Sequence, residues 1–365
     1  MSLPSVLVVG AGAMGSSAAH ELARRGHAVT VLEQHDLLHA RGSSHGSSRI
    51  VRLVYDDRFY VRLAMRARPL WDRLQDGTDL EVFRRTGSVD HGPRWLLEPF
   101  VAALEAEDVA HELLTPSDAA RRWPGLRFDD TVLFQPDGGV AHPDNTLSIL
   151  QRGAAEHGAE LRPRTRVTAV EETAGGMRVV TGDGVLNADH VVLAAGVWSH
   201  RLADLPDDVA TQVQPAHFAA VDPRATWPTF IHRRVGADGR AVPEAYGLPS
   251  PHGIKVGFHG GGVVVDPDRH DVPVVAAEID DLRAYVTDWV PGVVPSSLAA
   301  GTCLYGGLAE DDFVIDRIGR LTVATGFSGH GFKFVPLVGA MIADLVAGTT
   351  TPEHRFTVSA HRDNL

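Results

Sequence analysis

The sequence predicts an α/β protein in which a nucleotide-binding domain, built from three separated segments, is interleaved with a β-rich domain. A strand, a Gly-rich turn and a helix follow one another at the N-terminus, and strand and helix patterns return near residue 190 and at the C-terminus. Between them, two stretches are richer in β patterns, Gly and Pro. We therefore place the nucleotide-binding domain at 1–84, 141–214 and 309–365, and the β-rich domain at 85–140 and 215–308.

The N-terminal elements form the clearest local pattern. Residues 6–9 are a short apolar run typical of a buried strand, and Gly10 ends it. Residues 14–25 read as a helix with small residues on one face, which Gly26 ends. A second buried strand covers residues 28–32. This βαβ unit requires parallel pairing with a right-handed crossover.

Further elements follow from apolar periodicity and turn residues. We expect a helix over 59–74, kinked by Pro69, and another over 144–158, capped by Asp144 or Asn145. The remaining expected elements are β-meander strands at 164–170 and 177–180, a buried strand at 191–196, and a last helix at 331–346.

Composition and charge exclude several classes of protein. The 365 residues are 44% apolar and 22% charged, as in soluble globular chains, and the net charge is 34 − 46 = −12. This acidic balance argues against broad binding to nucleic acid or anionic lipid. No apolar run is long enough to span a membrane, and residues 1–5 lack the features of a signal peptide.

The cysteine and histidine content bears on compartment and metal binding. Cys303 is the one cysteine, so neither an internal disulfide nor a Cys-based zinc site can form, and a cytoplasmic location is the simplest expectation. The 19 histidines show no spacing that predicts metal ligands. We therefore expect no metal site.

The Gly-rich turn carries the signal for a dinucleotide. Gly10, Gly12 and Gly15 fit G-x-G-x-x-G between a strand and a helix, which permits a tight turn, close approach of a pyrophosphate and close helix packing. Glu33 lies where an acid hydrogen-bonds ribose hydroxyls, which disfavours NADP. FAD and NAD both remain open at this point, and a tight turn without a nucleotide is the alternative.

A polar loop follows where an NAD enzyme normally continues with further βα units. Residues 41–52 place six Gly and Ser residues among two arginines and a histidine before Arg52. Such a loop presents backbone N–H groups and positive charge to phosphate and flavin. A solvated Gly/Ser linker is the alternative interpretation.

Eight collinear segments resemble one enzyme family over essentially the whole chain. The sequence is similar to the monomeric sarcosine oxidase and N-methyltryptophan oxidase group of the D-amino-acid-oxidase-like flavoenzymes. The segments are the Gly motif at 10–15, the loop 42–52 with Tyr55, and residues 122–125, 138–140, 194–199, 255–259, 302–305 and 326–333.

The resemblance implies a fold and a cofactor. It implies an FAD-binding, Rossmann-like domain of the glutathione-reductase type with an interleaved, mostly antiparallel β-sheet substrate domain. It also implies FAD bound through a thioether between Cys303 and the flavin 8-methyl group, which requires a thiolate. A buried, inert thiol is the alternative. The implied cofactor-binding residues are Gly10, Gly12, Ala13, Met14, Gly15, Glu33, Gln34, Arg41, Ser43, Ser44, His45, Arg49, Val167, Gly196, Trp198, Cys303, Gly329, Gly331, Phe332 and Lys333.

The resemblance also assigns roles in catalysis and substrate binding. Arg52 and Lys333 match the pair that binds the substrate carboxylate, for which a guanidinium fork is well suited. Lys255 matches the lysine that promotes the reaction of reduced flavin with oxygen, and lies four residues from His259, on the same strand face. The remaining implied catalytic residues are His259, Arg49, Tyr246 and Tyr305.

Two departures from the family put the substrate in doubt. The segment between Phe230 and Tyr246 is longer and more polar than the family's loop beside the substrate. His217 stands where the family usually has arginine. Neither departure touches the flavin chemistry.

The function implied is an FAD-dependent oxidase of an N-methyl amino acid or a related secondary amine, acting as a monomer. Hydride-equivalent transfer to flavin would give an iminium, which water hydrolyses to an aldehyde and an amine, and O2 would become H2O2. Three alternatives remain: a related flavoenzyme oxidising a cyclic imino acid or primary amino acid in a biosynthetic pathway, an NAD-dependent dehydrogenase, and a flavoprotein without catalysis of its own or a subunit of a complex.

Overall fold

The computed structural model describes residues 3–236, 238–251, 253–269, 273–308 and 311–363. Its helices are α1 (Ala13–Arg24), α2 (Arg58–Asp76), α3 (Arg94–Ala106), α4 (Pro116–Arg122), α5 (Pro143–Glu156), α6 (Ala276–Trp289), α7 (Val335–Ala347) and α8 (Val358–Asp363). Short 3₁₀ turns cover Gly196–Arg201, Pro295–Ser297, Phe332–Phe334 and His354–Phe356.

The strands of the described residues form five sheets. In chain order they are β1 (Val6–Val9), β2 (Val29–Leu32), β3 (Arg49–Val51), β4 (Phe83–Arg85), β5 (Ser88–Gly92), β6 (Glu112–Leu114), β7 (Thr131–Gln135), β8 (Gly139–Ala141), β9 (Glu160–Arg162), β10 (Val167–Thr173), β11 (Gly176–Thr181), β12 (Gly184–Ala188), β13 (His190–Leu193), β14 (Val209–Val213), β15 (Ala216–Phe218), β16 (Thr229–Val235), β17 (Ala241–Ser250), β18 (Gly253–Phe258), β19 (Val263–Val264), β20 (Ala299–Ala300), β21 (Cys303–Gly307), β22 (Val314–Ile318) and β23 (Leu321–Thr325).

A six-stranded sheet with the order β22-β23-β13-β1-β2-β9 is the frame of the predicted nucleotide-binding domain. All its pairs are parallel except β22–β23. Val6 pairs with Val29, which confirms the predicted βαβ unit. Parallel strands are covered on both faces and are therefore apolar throughout, as β1 is.

The two faces of this sheet are covered by different elements. Val6 and Val8 point to a core cluster shared with helices α1, α2, α5 and α7. Leu7 and Val9 point to the opposite cluster, which includes Met177 and Val179 of the meander β10–β12. Because side chains alternate along a strand, one short apolar run supplies both cores.

An eight-stranded sheet with the order β20-β15-β18-β17-β16-β5-β7-β6 forms the β-rich part. Its pairs are antiparallel except for β5 and β16, which are parallel. Its core cluster includes Phe218, Phe230 and Trp123, together with Leu282 and Val286 of α6. This agrees with the predicted, mostly antiparallel sheet.

Two small sheets carry residues of the candidate site. Strands β3, β8 and β4 form one, in which Arg49 pairs with Ala141. Strands β19, β14 and β21 form the other, in which Val213 pairs with Cys303. The division into two domains at the stated bounds stays a prediction, and its bound at residue 309 lies outside the described residues.

Several element expectations need correction. Helix α2 begins one residue earlier and ends two residues later than predicted, at Arg58 and Asp76, with Pro69 inside it; the kink at Pro69 stays a prediction. Helix α5 begins at Pro143, a residue suited to the first helical position, so neither predicted cap occupies the N-cap position. Asp144 instead accepts a hydrogen bond from the Gly46 N–H, and Asn145 donates one to the Glu81 carbonyl.

One bound of each of two further elements also differs from the prediction. Strand β13 ends at Leu193, because residues 196–201 form a 3₁₀ turn. The last helix begins at Val335 and not at residue 331, because a 3₁₀ turn precedes it. Its C-terminus is as predicted, with Gly348 in the left-handed conformation. Among the described residues, no helix combines the length and apolarity needed to cross a membrane.

Candidate functional site

A cleft opens at the carboxyl ends of β1, β2 and β13, around the Gly-rich turn. Gly10 has φ +101, and a Cβ on it would lie 2.5 Å from the Ala194 carbonyl oxygen. A Cβ on Gly15 would lie 1.9 Å from the Gly10 carbonyl oxygen. Both positions therefore require glycine, which allows α1 to start beside the strand and aim its N-terminus at the cleft.

Glu33 lies at the end of β2 and lines the same cleft. Its Oε2 accepts the Ala11 N–H at 2.9 Å, its Oε1 accepts the His35 N–H at 2.9 Å, and His39 Nε2 lies 3.3 Å from Oε1. Burial alone would raise the pKa of Glu33, but these hydrogen bonds outweigh it and lower the pKa. Glu33 is therefore an anion held in place beside the turn.

The polar loop packs onto the N-terminus of α1. Ser44 Oγ accepts the Ala13 N–H at 3.0 Å. The Arg49 guanidinium donates to the carbonyls of Ser43, His45 and Ser48 at 2.8–2.9 Å. These bonds fold the loop around Arg49, so it is not a free linker.

Cys303 is buried at the start of β21, next to Arg49. Arg49 Nη2 lies 3.4 Å from Cys303 Sγ. Burial alone would raise the pKa of the thiol, but Arg49, a hydrogen bond from His45 and the Lys255 charge lower it below its ordinary value. The thiol is thus placed where a thiolate is favoured.

A second cavity adjoins the cleft at Cys303. Arg49, Tyr305, Gly329 and Phe332 line both spaces and so form their boundary. Predicted site residues that line the second cavity alone are Arg52, Tyr246, Lys255, His259, Cys303 and Lys333. The eight-stranded sheet supplies three of them from β17, β18 and the residue after β18.

Lys255 is buried in this cavity, 9% exposed. Burial, and secondly the Arg49 charge, lower the pKa of Lys255 to about 7. His259 lines the same cavity, as the strand spacing predicts, and its ring centroid lies 6.5 Å from that of Tyr305. Tyr246 and Tyr305 are hydrogen-bonded to each other.

Arg52 and Lys333 both line the cavity and are held by neighbours. Arg52 Nη1 donates to the Val54 carbonyl at 2.7 Å and to Asp90 Oδ1 at 3.1 Å. Lys333 Nζ donates to the Tyr55 hydroxyl at 2.8 Å and to the His330 carbonyl at 2.7 Å. Burial, followed by the Arg52 charge, lowers the pKa of Lys333. An anion between the two cations would stabilise both charges.

The structure brings most of the predicted cofactor residues to the cleft. Those that line it are Gly10, Gly12, Ala13, Met14, Glu33, Gln34, Ser43, Ser44, Arg49, Val167, Gly196, Trp198, Gly329, Gly331 and Phe332. Gly15 and His45 do not line the cleft. Gly15 allows α1 to approach the glycine turn closely, and His45 forms a hydrogen bond with the Cys303 thiol. Arg41 is exposed and lines neither space, so its predicted role has no support in this geometry.

Several acidic and basic residues at these two sites were not predicted from the sequence, among them Asp208, Asp90, Arg233 and Glu244. Asp208 lines the cleft and accepts hydrogen bonds from Thr325 and Gly326. Asp90, Arg233 and Glu244 form ion pairs at the second cavity. Asp90 carries no clear sequence signal, because only the structure shows that the strand Ser88–Gly92 is wholly buried, where an acid needs a partner.

The sequence departs from the family pattern at two places. The longer polar segment between Phe230 and Tyr246 contributes residues to the lining of the second cavity, whereas His217 does not line it. Residues 229–235 and 241–250 form the antiparallel hairpin β16–β17, which carries Arg233, Glu244 and Tyr246 into the lining. His217 instead pairs with Lys255 across β15 and β18, and its Nδ1 lies 3.0 Å from Ser250 Oγ.

The cleft fits the dinucleotide that the sequence predicts. A glycine turn without room for Cβ atoms, a helix N-terminus, a held carboxylate at the end of β2 and a basic loop follow one another around one space. Cys303 lines the adjoining second cavity, next to Arg49, which lines both spaces. The described residues contain no group of three or more His, Cys, Asp or Glu side chains placed to hold a metal ion.

Comparison with known proteins identifies relatives along nearly the whole chain. A family model described as FAD dependent oxidoreductase matches residues 5–345. A monomeric sarcosine oxidase of Streptomyces avermitilis is 35% identical over 95% of this chain and 94% of that protein. An N-methyl-L-tryptophan oxidase of Salmonella arizonae is 29% identical over 94% of this chain and 95% of that protein.

Solved structures show the same fold. NikD, described as an unusual amino acid oxidase essential for nikkomycin biosynthesis, superposes in its open form with a TM-score of 0.85, 26% identity and 98% coverage of both chains.

Proposed function

Because the chain belongs to the family of FAD-dependent oxidoreductases, we propose that it is an oxidase of an N-methyl amino acid or a related secondary amine. One observation carries the proposal: the dinucleotide cleft opens into a second cavity whose lining holds both Arg52 and Lys333. A sarcosine oxidase and an N-methyl-L-tryptophan oxidase among its relatives support the choice of substrate class.

FAD, when bound, supplies the redox chemistry: it accepts a hydride equivalent from a substrate C–H bond and passes two electrons to O2, giving H2O2. The chain's residues orient the substrate. The Arg52 guanidinium and the Lys333 ammonium bind its carboxylate, the first by a fork of N–H donors. The amine end is thereby directed toward the boundary with the cleft, where Arg49 and Tyr305 lie.

Lys255 would hold a positive charge in a largely water-excluded part of the cavity. Because a fixed cation stabilises developing negative charge most in a low-dielectric site, Lys255 favours electron transfer to O2. His259, Tyr246 and Tyr305 line the space beside it and shape the site for the substrate.

A peroxide assay tests this proposal directly. The purified yellow enzyme should produce H2O2 with a member of a panel of sarcosine, N-methyltryptophan and pipecolate. Arg52→Met should raise KM by about 10-fold or more, since a charge-assisted pair is lost. Absence of turnover with every secondary amine would overturn the oxidase proposal.

We further propose that FAD is attached through a thioether to Cys303. The support is the position of the thiol next to Arg49, a residue that lines both the cleft and the second cavity, and the lowered pKa of the thiol. After acid precipitation, the wild-type pellet should be yellow and carry the mass of FAD on Cys303. Cys303→Ser should give a colourless pellet, and an unmodified wild-type thiol would refute covalent attachment.

A second candidate function is oxidation of a cyclic imino acid or a primary amino acid in a biosynthetic pathway. The resemblance to NikD and the charged hairpin at the cavity favour it. Turnover of pipecolate or of primary amino acids, without any turnover of sarcosine, would establish this second function.

We also propose that the chain acts as a cytoplasmic monomer. Light scattering tests the oligomeric state, and cell fractionation tests the location.

A further inference from the structure

Four charged residues form one continuous network at the wall of the substrate cavity. Asp90 Oδ1 accepts from Arg52 Nη1 at 3.1 Å and from Arg233 Nη2 at 2.8 Å. Arg233 Nη1 also forms an ion pair with Glu244. We call Arg52, Asp90, Arg233 and Glu244 the charge wall.

The charge wall is buried, so its charges act with little screening by water. The side chain of Asp90 is fully buried, those of Arg52 and Arg233 are 14% and 8% exposed, and that of Glu244 is 28% exposed. Arg233 also packs its guanidinium over the Phe100 ring, 3.6 Å from the centroid. These contacts fix the positions of both guanidiniums.

The charges of the wall cancel. Two guanidiniums face two carboxylates, so the wall is neutral although Arg52 still presents donors to the cavity. Lys333, held by Tyr55 and His330, lines the same cavity without a carboxylate partner among the described residues, as do Lys255 and Arg49. One ligand carboxylate would balance Lys333.

The cavity also has acidic lining residues. Asp56, Asp57, Asp311 and Asp312 line it, and Arg355 pairs with two of them, Asp57 and Asp312. Asp56 and Asp311 are exposed. A second carboxylate that points away from Lys255 and Arg49 would therefore meet either the neutral wall or these acidic side chains.

We propose that Asp90, Arg233 and Glu244 determine specificity by admitting a substrate with one carboxylate and rejecting one with a second carboxylate. Asp90 also acts as a positioning residue, because it holds the Arg52 guanidinium that binds the carboxylate. The inference rests on the proposed function for the role of Arg52 and Lys333, and adds the substrate class.

Binding of two unreactive ether analogues to the holoenzyme tests the proposal. Methoxyacetate has one carboxylate and oxydiacetate has two on the same skeleton, so their Kd ratio isolates the second charge. Calorimetry should show that wild type binds methoxyacetate at least about 10-fold more tightly. Comparable affinities, or tighter binding of oxydiacetate, would overturn the proposal.

Charge-changing variants should move this ratio in opposite directions. Glu244→Gln leaves an uncompensated guanidinium, so the preference should shrink by about 10-fold. Arg233→Met leaves an uncompensated carboxylate, so the binding of oxydiacetate should become weaker still relative to that of methoxyacetate. Asp90→Asn should reduce the preference for methoxyacetate over oxydiacetate. It should also weaken the binding of methoxyacetate itself, because the Arg52 guanidinium loses the carboxylate that fixes its position. Asp238→Asn, exposed on the same hairpin, is the control and should leave the ratio unchanged.

A ratio that is the same in all four variants refutes the charge wall as a specificity determinant. Glu244 is partly exposed, so Glu244→Gln tests the proposal even where Asp90→Asn does not fold. The readout needs no turnover. Failure to oxidise any secondary amine would therefore defeat the proposed function without changing the outcome of this experiment.

Discussion

Arg49 affects the reactivity of a single sulfur atom through its charge. Its Nη2 lies 3.4 Å from Cys303 Sγ, and this charge helps to lower the pKa of the thiol. Arg49→Met should therefore reduce the thiolate fraction near pH 7 and slow alkylation of Cys303 in FAD-free protein by about 10-fold. Iodoacetamide labelling followed by intact mass measures this rate, because the chain has one cysteine.

The same labelling experiment separates charge from packing. Raising the pH to 9 should recover part of the rate in Arg49→Met, since a larger fraction of the thiol then ionises even without the guanidinium. Arg49→Lys should retain an intermediate rate at pH 7. Equal rates for wild type and Arg49→Met at pH 7 would show that the guanidinium does not activate the sulfur.

At the scale of the elements, α1 is held against α7 by contact without room for a side chain. A Cβ on Gly339 would lie 2.2 Å from Ser17 Oγ and 2.7 Å from the Ser17 backbone. Ser17 Oγ also donates to the Val335 carbonyl at 2.8 Å. Gly339→Ala should lower the free energy of unfolding by about 1–3 kcal/mol, because α1 must shift.

Urea unfolding of the holoenzyme measures this loss. Gly182→Ala is the matched control, since nothing lies within 4 Å of its added Cβ, and it should stay within about 0.5 kcal/mol of wild type. Loss of stability in both variants to the same extent would contradict the packing argument. Because α1 begins at the cleft, Gly339→Ala should also weaken FAD retention in a Cys303→Ser background, where FAD is not covalently held.

Local elements were predictable from the sequence because their signals are local. The strand β1, the glycine turn and α1 lie within 20 residues. The spacing of apolar residues in each segment indicates whether that segment is a strand or a helix. The charge wall was not predictable. Asp90 lies 38 residues from Arg52 and 143 from Arg233, and it meets Arg233 because β5 pairs in parallel with β16. Such pairing leaves no trace in either strand's own pattern.

At the scale of the whole molecule, the same strand pairing places two imidazoles in the core of the β-rich part. His91 on β5 and His232 on β16 pair directly and stack with centroids 4.1 Å apart. Both are almost fully buried, at 2% and 3% exposure. Burial, and secondly the Arg234 charge, lower the pKa of His232 to about 3, and burial followed by His232 lowers the pKa of His91.

This pair predicts loss of stability in acid. Above pH 6.5 both rings are neutral in the folded and unfolded chains, so they impose no cost. As the pH falls below 6.5, the two histidines bind protons in the unfolded chain but stay neutral in the folded core. Each ring therefore lowers the free energy of unfolding by about 1.4 kcal/mol per pH unit. His232→Phe should flatten the decline in urea-unfolding free energy between pH 6 and 4 by that slope, whereas His354→Phe, exposed on the surface, should follow wild type. Parallel declines for wild type and His232→Phe would show that the stacked pair does not couple folding to pH.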